Sequence, residues 1–273
     1  METEERRARR RRQRILFDDV ADLYQECRLG YPDDVITFLA ATAGLRAGST
    51  VLDVGCGTGQ LTRSLTGHGV ELTGIDIAPS MIATARRHLT GPAVSFEVAS
   101  FEDFDAAGRS FDLIVAGAAF HWIDPEVRFG KAARLLRPGG WLALLATDER
   151  YDDPFGAALT GMWIALSDDG GAWARDPKLT DAELITQAGL FGQPAGQTHD
   201  ERMTLPAGRV IGMENTRASA LSWPAEVRQH FTAELHGHLQ GQTEVHLTWH
   251  TTLTMAQRQG SGRETARQPS SGQ

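Results

Sequence analysis

Apolar positions along this chain keep two rhythms in turn. Short runs in which every residue, or every second one, is apolar give way to stretches where apolar residues recur every three to four positions. Val35, Ile36, Phe38 and Leu39 make one helical face, which Gly44 and Gly48 end. Residues 51–54 are predicted as a short buried strand and 61–65 as the helix after it. Residues 71–77 follow as a strand and 81–89 as a helix with Ser80 as its cap. Residues 94–98 alternate in period two, 111–117 are apolar but for Asp112, 127–136 are helical until Pro138-Gly139-Gly140, and 141–146 form another apolar strand. The succession β-α-β-α-β-β-α-β at crossover spacing predicts a doubly wound parallel sheet with helices on both faces. Ligands of such sheets lie beyond the carboxyl ends of the strands, where strand order reverses. The chemistry is therefore expected just after Val54, Ile77, Val98 and Ala116.

From Asp152 to Trp223 the rhythm weakens and Gly, Pro and Asp are frequent. Met162, Trp163, Ile164 and Leu166 read as one packed helix, and 184–190 as a helix leading into a final strand pair. Residues 226–239 read as a helix and 244–255 as a strand rich in Thr, Val and Trp. The remainder, rich in Gly, Ser, Gln and Arg, reads as a disordered tail.

Charge changes the picture at one end only. Residues 6–14 hold seven arginines; with the three glutamates before them the first fourteen residues sum to +4, which leaves −12 for the rest of a chain of net −8. So acidic a body is a poor partner for a phosphate backbone, and the arginine run reads as a solvated, frayed terminus. No apolar run approaches the ~18–20 residues that cross a bilayer, no apolar signal core follows the arginines, and the two cysteines, Cys27 and Cys56, make neither a disulfide framework nor a zinc pattern. A cytoplasmic enzyme with no metal is the expectation.

The densest chemical signal is Val51-Leu52-Asp53-Val54-Gly55-Cys56-Gly57-Thr58-Gly59-Gln60, a strand running into three alternating glycines and then a helix. Glycines there let the backbone turn tightly against a ligand. A nicotinamide dinucleotide would also suit a glycine loop, with an acid ~20 residues on for the ribose, and Asp76 stands near that spacing. Two features separate the readings. The spacing is Gly-x-Gly-x-Gly rather than Gly-x-Gly-x-x-Gly, and Asp53 precedes the first glycine. A carboxylate there repels a pyrophosphate and attracts an ammonium or sulfonium; S-adenosylmethionine carries both, with a ribose diol besides.

At these residues the chain resembles class I S-adenosylmethionine-dependent methyltransferases, and within them the methyltransferase type 11 group that includes trans-aconitate methyltransferase-like enzymes. Gly74-Ile75-Asp76-Ile77-Ala78-Pro79-Ser80-Met81 resembles the motif whose acid binds the ribose hydroxyls. Ala99-Ser100-Phe101-Glu102-Asp103 resembles the loop that cradles adenine, with Ser100 where many relatives carry an aspartate. Residues 110–122 resemble the fourth-strand motif, ending in Phe120-His121-Trp122, and Leu135-Leu136-Arg137-Pro138-Gly139-Gly140 the turn before the fifth strand. Upstream, Tyr24, Arg28 and Tyr31-Pro32 resemble a lid whose arginine holds the methionine carboxylate. The resemblance implies a seven-stranded, mostly parallel Rossmann-like sheet, with an N-terminal helical lid and an inserted helical cap. It divides the chain into a basic segment and lid (1–48), a cofactor-binding core (49–150), a substrate cap (151–223), a closing helix and strand (224–257) and a tail (258–273). It implies cofactor contacts at Tyr24, Arg28, Tyr31, Asp53, Gly55, Cys56, Gly57, Asp76, Ile77, Met81, Ser100, Phe101, Glu102 and Ala116.

His121, near the end of the fourth strand, is the candidate general base; Trp122 reads as a packing wall and Cys56 as a small filler. His246 and His250 would share a helix face, but their stretch reads as a strand, so no metal is expected there. Met162, Trp163, Trp173 and Met213 are candidates for an apolar roof over the acceptor. Lysine is confined to Lys131 and Lys178 while arginine is abundant, a composition associated with GC-rich genomes and specialised metabolism. The expected function is methyl transfer to a small molecule, with no nucleic-acid or membrane partner and homo-oligomerisation left open. The alternatives are a methylation coupled to or replaced by a cyclisation, and a nucleic-acid methyltransferase using the arginine arm.

Overall fold

The computed structural model describes residues 15–151, 154–166 and 179–260; the arginine run at 6–14 and Trp173 lie outside them. Among the described residues the chain forms strands β1 (Thr50–Val54), β2 (Glu71–Asp76), β3 (Val94–Val98), β4 (Phe111–Gly117), β5 (Leu136–Tyr151), β6 (Ala195–Pro206) and β7 (Glu244–Gln257). They make one sheet in the order β3-β2-β1-β4-β5-β7-β6. β1 to β5 run parallel, and β7 is antiparallel to both β5 and β6. Strand order reverses between β1 and β4, so a crevice opens beyond Val54 and Gly117.

Helices α1 (Ala21–Cys27), α2 (Asp33–Thr42), α3 (Gln60–Thr66), α4 (Pro79–His88), α5 (Arg128–Leu135), α6 (Pro154–Leu166), α7 (Asp181–Ala188), α8 (Ala207–Asn215), α9 (Ala218–Leu221) and α10 (Ala225–His238) surround it. Successive strand residues bury on opposite faces. Leu52, Val54, Ile114 and Leu142 pack with Phe129 and Ala132 of α5 and Ile185 of α7. Val51, Leu113, Val115 and Ala143 pack with Val35 and Leu39 of α2 and with Leu61 and Leu65 of α3. A third core lies toward the far edge, where Phe155, Leu159 and Met162 of α6, Val210 and Met213 of α8, and Phe231 and Leu235 of α10 close on Leu247 and Trp249 of β7.

Three elements differ from the sequence reading. β5 runs on to Tyr151 instead of ending at Ala146, because Trp141 to Tyr151 pair continuously with β7; Asp148, Glu149 and Arg150 hide that strand behind a charged pattern. Residues 195–206, inside the expected cap, are the core strand β6, whose polar composition suits a sheet edge. Ser80 is not the cap of its helix. Ala78 occupies the cap position and offers no side-chain acceptor, Pro79 opens α4, and the Ser80 N–H is capped from outside by Asp18 Oδ1 at 2.6 Å. By contrast α7 starts at a full capping box, Thr180 with Glu183. Of the expected tail, residues 258–260 are described: Arg258 bridges to Phe191 and its N–H bonds to the Gly140 carbonyl.

Candidate active site

The glycine loop leaves β1 at the crevice and is held by the next strand. Gly55 N and Cys56 N both donate to the Ile75 carbonyl, at 2.8 and 3.0 Å. Gly57 N donates to Asp76 Oδ2 at 3.0 Å, and Asp76 Oδ1 accepts from Ala78 N at 2.9 Å. Asp76 therefore clamps the loop while its side chain faces the crevice. Two glycines are obligatory in different ways. Gly55 has φ 67°, and a Cβ on it would lie 2.4 Å from Ala119 Cβ. Gly57 has φ 55°, and a Cβ there would project toward the Tyr24 ring, 3.9 Å away, into the space a ligand needs. Across the crevice Ala118 also takes a left-handed backbone, φ 50°, a strained conformation of the kind that concentrates at binding sites.

The loop divides a cleft into two lobes. The first, partly open to solvent, is lined by Asp76, Ile77, Met81, Ala99, Ser100, Phe101, Gly117 to Ala119, Trp122 and Ile123, with Phe17 and Tyr24. The second is lined by Arg28, Leu29, Tyr31, Asp53, Cys56, Gln60, Leu61, Thr147 and Trp249. Tyr24, Gly55, Gly57, Gly117 and Ala118 belong to both.

The lid is built from a short segment that docks by polar contacts at its base. Phe17 meets Tyr24 edge-on at 6.0 Å, Arg28 stacks over Tyr24 at 5.1 Å, and Asp18 caps α4 as described. Asp18→Ala is expected to weaken that docking by about 1 kcal/mol, the usual worth of an N-cap. Faster amide exchange at residues 17–24, with the sheet unchanged, would show it; unchanged exchange would show that the cap does not hold the lid.

Asp53 lies at the floor of the second lobe, 1% exposed. Its Oδ2 accepts from Thr62 Oγ1 at 2.6 Å, whereas Oδ1 has no partner among the described residues. Burial, opposed by the Thr62 hydrogen bond and reinforced by the nearby Asp76 charge, pushes its pKa up to about 7. Burial likewise drives the Cys56 thiol well above its ordinary range; its sulfur packs between Gly74 and the loop, as an inert filler does. The Tyr31 hydroxyl stands where a side chain on Gly117 would be.

Tyr24, Arg28, Tyr31, Asp53, Gly55, Cys56, Gly57, Asp76, Ile77, Met81, Ser100 and Phe101 thus meet at one cleft. Three expected residues do not line it. Glu102 turns away: its Oε1 accepts from Asp124 N at 3.0 Å, and its carbonyl from Lys131 Nζ at 2.9 Å. Ala116 is buried in β4 among core residues, and the lining begins one residue later at Gly117. His121 is exposed on the 3-10 turn Phe120–Trp122, in ring contact with Trp122 at 4.9 Å, and it is Trp122 that faces the first lobe. Ser100 Oγ is committed to Asp103, donating to Oδ2 at 2.7 Å and accepting from its N–H at 3.1 Å. Phe17, Thr147 and Trp249 line the cleft without having been singled out for it. Met162 and Met213 of the expected roof are buried in the third core, and Trp163 stacks on Trp223 and Phe231. His246 and His250 lie in strand β7, bonded to Thr204 and Asp200; no metal-binding group of three or more His, Cys, Asp or Glu occurs among the described residues. No described helix is long and apolar enough to cross a membrane.

Residues 51–140 match the family model of a methyltransferase domain. Over 143 residues the chain is 34% identical to an uncharacterized methyltransferase of Mycobacterium bovis, covering 52% of this chain and 56% of that one. Over 100 residues it is 40% identical to a ubiquinone biosynthesis O-methyltransferase of Thiobacillus denitrificans, covering 35% and 43%. The chain spans about half the length of these curated relatives. A candidate type II methyltransferase from Anaeromyxobacter dehalogenans superposes with a TM-score of 0.58 at 21% identity, over 84% of this chain and 97% of that structure. These matches are to methyltransferases at large and do not single out the trans-aconitate-like group. The glycine loop, the strand-end acid and the reversed strand order fall within the segment that matches the methyltransferase domain.

Proposed function

We propose that this protein transfers a methyl group from S-adenosylmethionine to a small-molecule acceptor. One observation carries the cofactor reading: two carboxylates in different states flank one glycine loop. Asp76 is bonded to two backbone N–H groups at the mouth of the first lobe, the side suited to a ribose diol. Asp53 is sealed beneath the second lobe with one oxygen unpartnered among the described residues, an arrangement that calls for a cation. A nicotinamide dinucleotide would set its pyrophosphate near that buried acid, which Coulomb repulsion opposes.

Tyr24, Arg28, Tyr31, Asp53, Gly55 and Gly57 would hold the amino-acid end of the cofactor; Asp76, Ile77, Met81, Ser100 and Phe101 would hold its adenosine. The bound cofactor supplies a methyl group already activated on a sulfonium. The chain's task is then to align the acceptor with that methyl and keep water out. The Phe17–Tyr24 lid and the Trp122 wall serve the second purpose. A small acceptor agrees with the ubiquinone pathway enzyme among the relatives and with the acidic body. His121 stands outside both lobes, and no proton-removing role is assigned to it.

The pH dependence of binding tests the assignment of Asp53. In the free protein its carboxyl titrates at about 7. An ammonium against it favours the ionised form, so binding at or below neutrality releases a proton. Affinity for S-adenosylhomocysteine is expected to rise about tenfold per pH unit toward pH 7 and then level off. Calorimetry in buffers of different ionisation enthalpy reads both the slope and the released proton. An affinity flat from about pH 5.5 to pH 8, with no proton released, would contradict it.

A further inference from the structure

Two features of the second lobe come from the C-terminal half of the chain, outside the segment that matches the methyltransferase domain. The first is Trp249 of β7, which lines the lobe, is 4% exposed, and has an indole N–H with no hydrogen-bond partner among the described residues. A sealed donor of this kind costs free energy unless a ligand satisfies it. The second is the seating of Arg28. Its Nε donates to Thr216 Oγ1 at 3.0 Å, its Nη1 lies 3.6 Å from Glu149 Oε1, and its ring-side face rests on Tyr24. Thr216 is fully buried and is itself fixed by donating to the Met213 carbonyl at 2.9 Å. Glu149, directly opposite Trp249 in the β5–β7 ladder, is shared with Arg217. Arg28 is therefore held at the lobe with part of its guanidinium free of Thr216, its position set by residues 121 and more positions downstream.

The lobe thus contains, among the described residues, one buried acceptor without a partner, Asp53 Oδ1, one buried donor without a partner, Trp249 Nε1, and one oriented guanidinium. An ammonium and a carboxylate on one carbon satisfy all three, which is the pattern of an α-amino acid. Building on the cofactor reading above, we propose that the carboxylate of the ligand's amino-acid portion is read by Trp249 Nε1 together with Arg28, and that Thr216 is the positioning residue that sets Arg28 for it. The segment 207–217 then serves the cofactor site, whatever it does for the acceptor.

The test compares two ligands on the full chain freed of copurified ligand. S-adenosylhomocysteine has the amino-acid portion; 5′-methylthioadenosine has the adenosine and sulfur without it. Trp249→Phe keeps the ring and removes the donor. Thr216→Val keeps shape and burial, and Thr216→Ser keeps the hydroxyl. Trp249→Phe and Thr216→Val are each expected to weaken S-adenosylhomocysteine about tenfold, as for loss of one hydrogen bond to a charged group, and to leave 5′-methylthioadenosine within about twofold. Thr216→Ser is expected to behave as wild type. Equal weakening of both ligands, or an unchanged ratio in folded variants, would overturn the proposal and leave the cofactor reading intact. A folded wild type that binds neither ligand would overturn that reading and the proposal with it.

Discussion

Glu214→Ala is expected to lower the stability of the fold by about 3–5 kcal/mol, the usual result of removing one partner from a buried ion cluster. The Glu214 side chain is 0% exposed. One oxygen accepts from the Tyr151 hydroxyl at 2.9 Å and Arg217 Nη2 at 3.1 Å; the other accepts from Arg217 Nε at 2.7 Å and Trp163 Nε1 at 3.1 Å. The cluster pins α6, α8 and the end of β5 together. Burial works against the Arg217 charge, but Glu214 and Glu149 outweigh it and hold its pKa above the ordinary range. Alanine would leave the hydroxyl, the indole N–H and half of the guanidinium without an acceptor. Denaturant unfolding measures the loss. A useful contrast is Asp22, whose ion pair with Arg87 lies at the surface, the two side chains 78% and 56% exposed. Asp22→Ala is expected to stay within about 1 kcal/mol. A Glu214→Ala loss no larger than that of Asp22→Ala would show that the cluster does not hold these elements together.

Asp76→Ala is expected to weaken S-adenosylhomocysteine by about 100-fold or more, since two charge-assisted hydrogen bonds to a diol are worth about 3 kcal/mol together. Two effects combine. The ribose hydroxyls lose their acceptor, and the Gly57 and Ala78 N–H groups lose theirs, which loosens the loop. The Asp76 charge also helps to raise the Asp53 pKa. The variant is therefore expected to bind weakly and to shift its pH midpoint downward. Asp76→Asn keeps one acceptor oxygen and no charge, and should fall between. Wild-type affinity in folded Asp76→Ala would place the ribose elsewhere.

What was legible in the chain was local. The glycine loop announces itself because strand, turn and helix lie within ten residues of one another, and its glycines have no substitute at those backbone angles. Asp76 was readable from its place at a strand end. The differences between the sequence reading and the structure have physical causes too. Phe120, His121 and Trp122 occupy a 3-10 turn, which rotates successive side chains by about a third of a circle. The three therefore point to the core, to solvent and to the cleft, and adjacency could not say which was which. The first strand of the final pair, β6, was given no bounds because an edge strand need not alternate cleanly when only one side is packed, and the charged end of β5 was missed because its partner, β7, is a hundred residues away. Trp249 and Thr147 reach the cleft only through that long-range pairing, and Thr216, at the end of α8, meets Arg28 only through the tertiary fold; no local pattern marks any of them. The capping box at Thr180 and Glu183 was a sequence signal that would have placed the start of α7.

The most direct measurement is a calorimetric titration of S-adenosylhomocysteine into the ligand-free wild-type chain at mildly alkaline pH, beside a nicotinamide dinucleotide. Saturable binding of S-adenosylhomocysteine at one site per chain, with no heat from the dinucleotide, is the expected result. A folded protein that gives no heat with S-adenosylhomocysteine, or that takes up the dinucleotide instead, would contradict the assignment of Asp53 and Asp76 to a sulfonium cofactor.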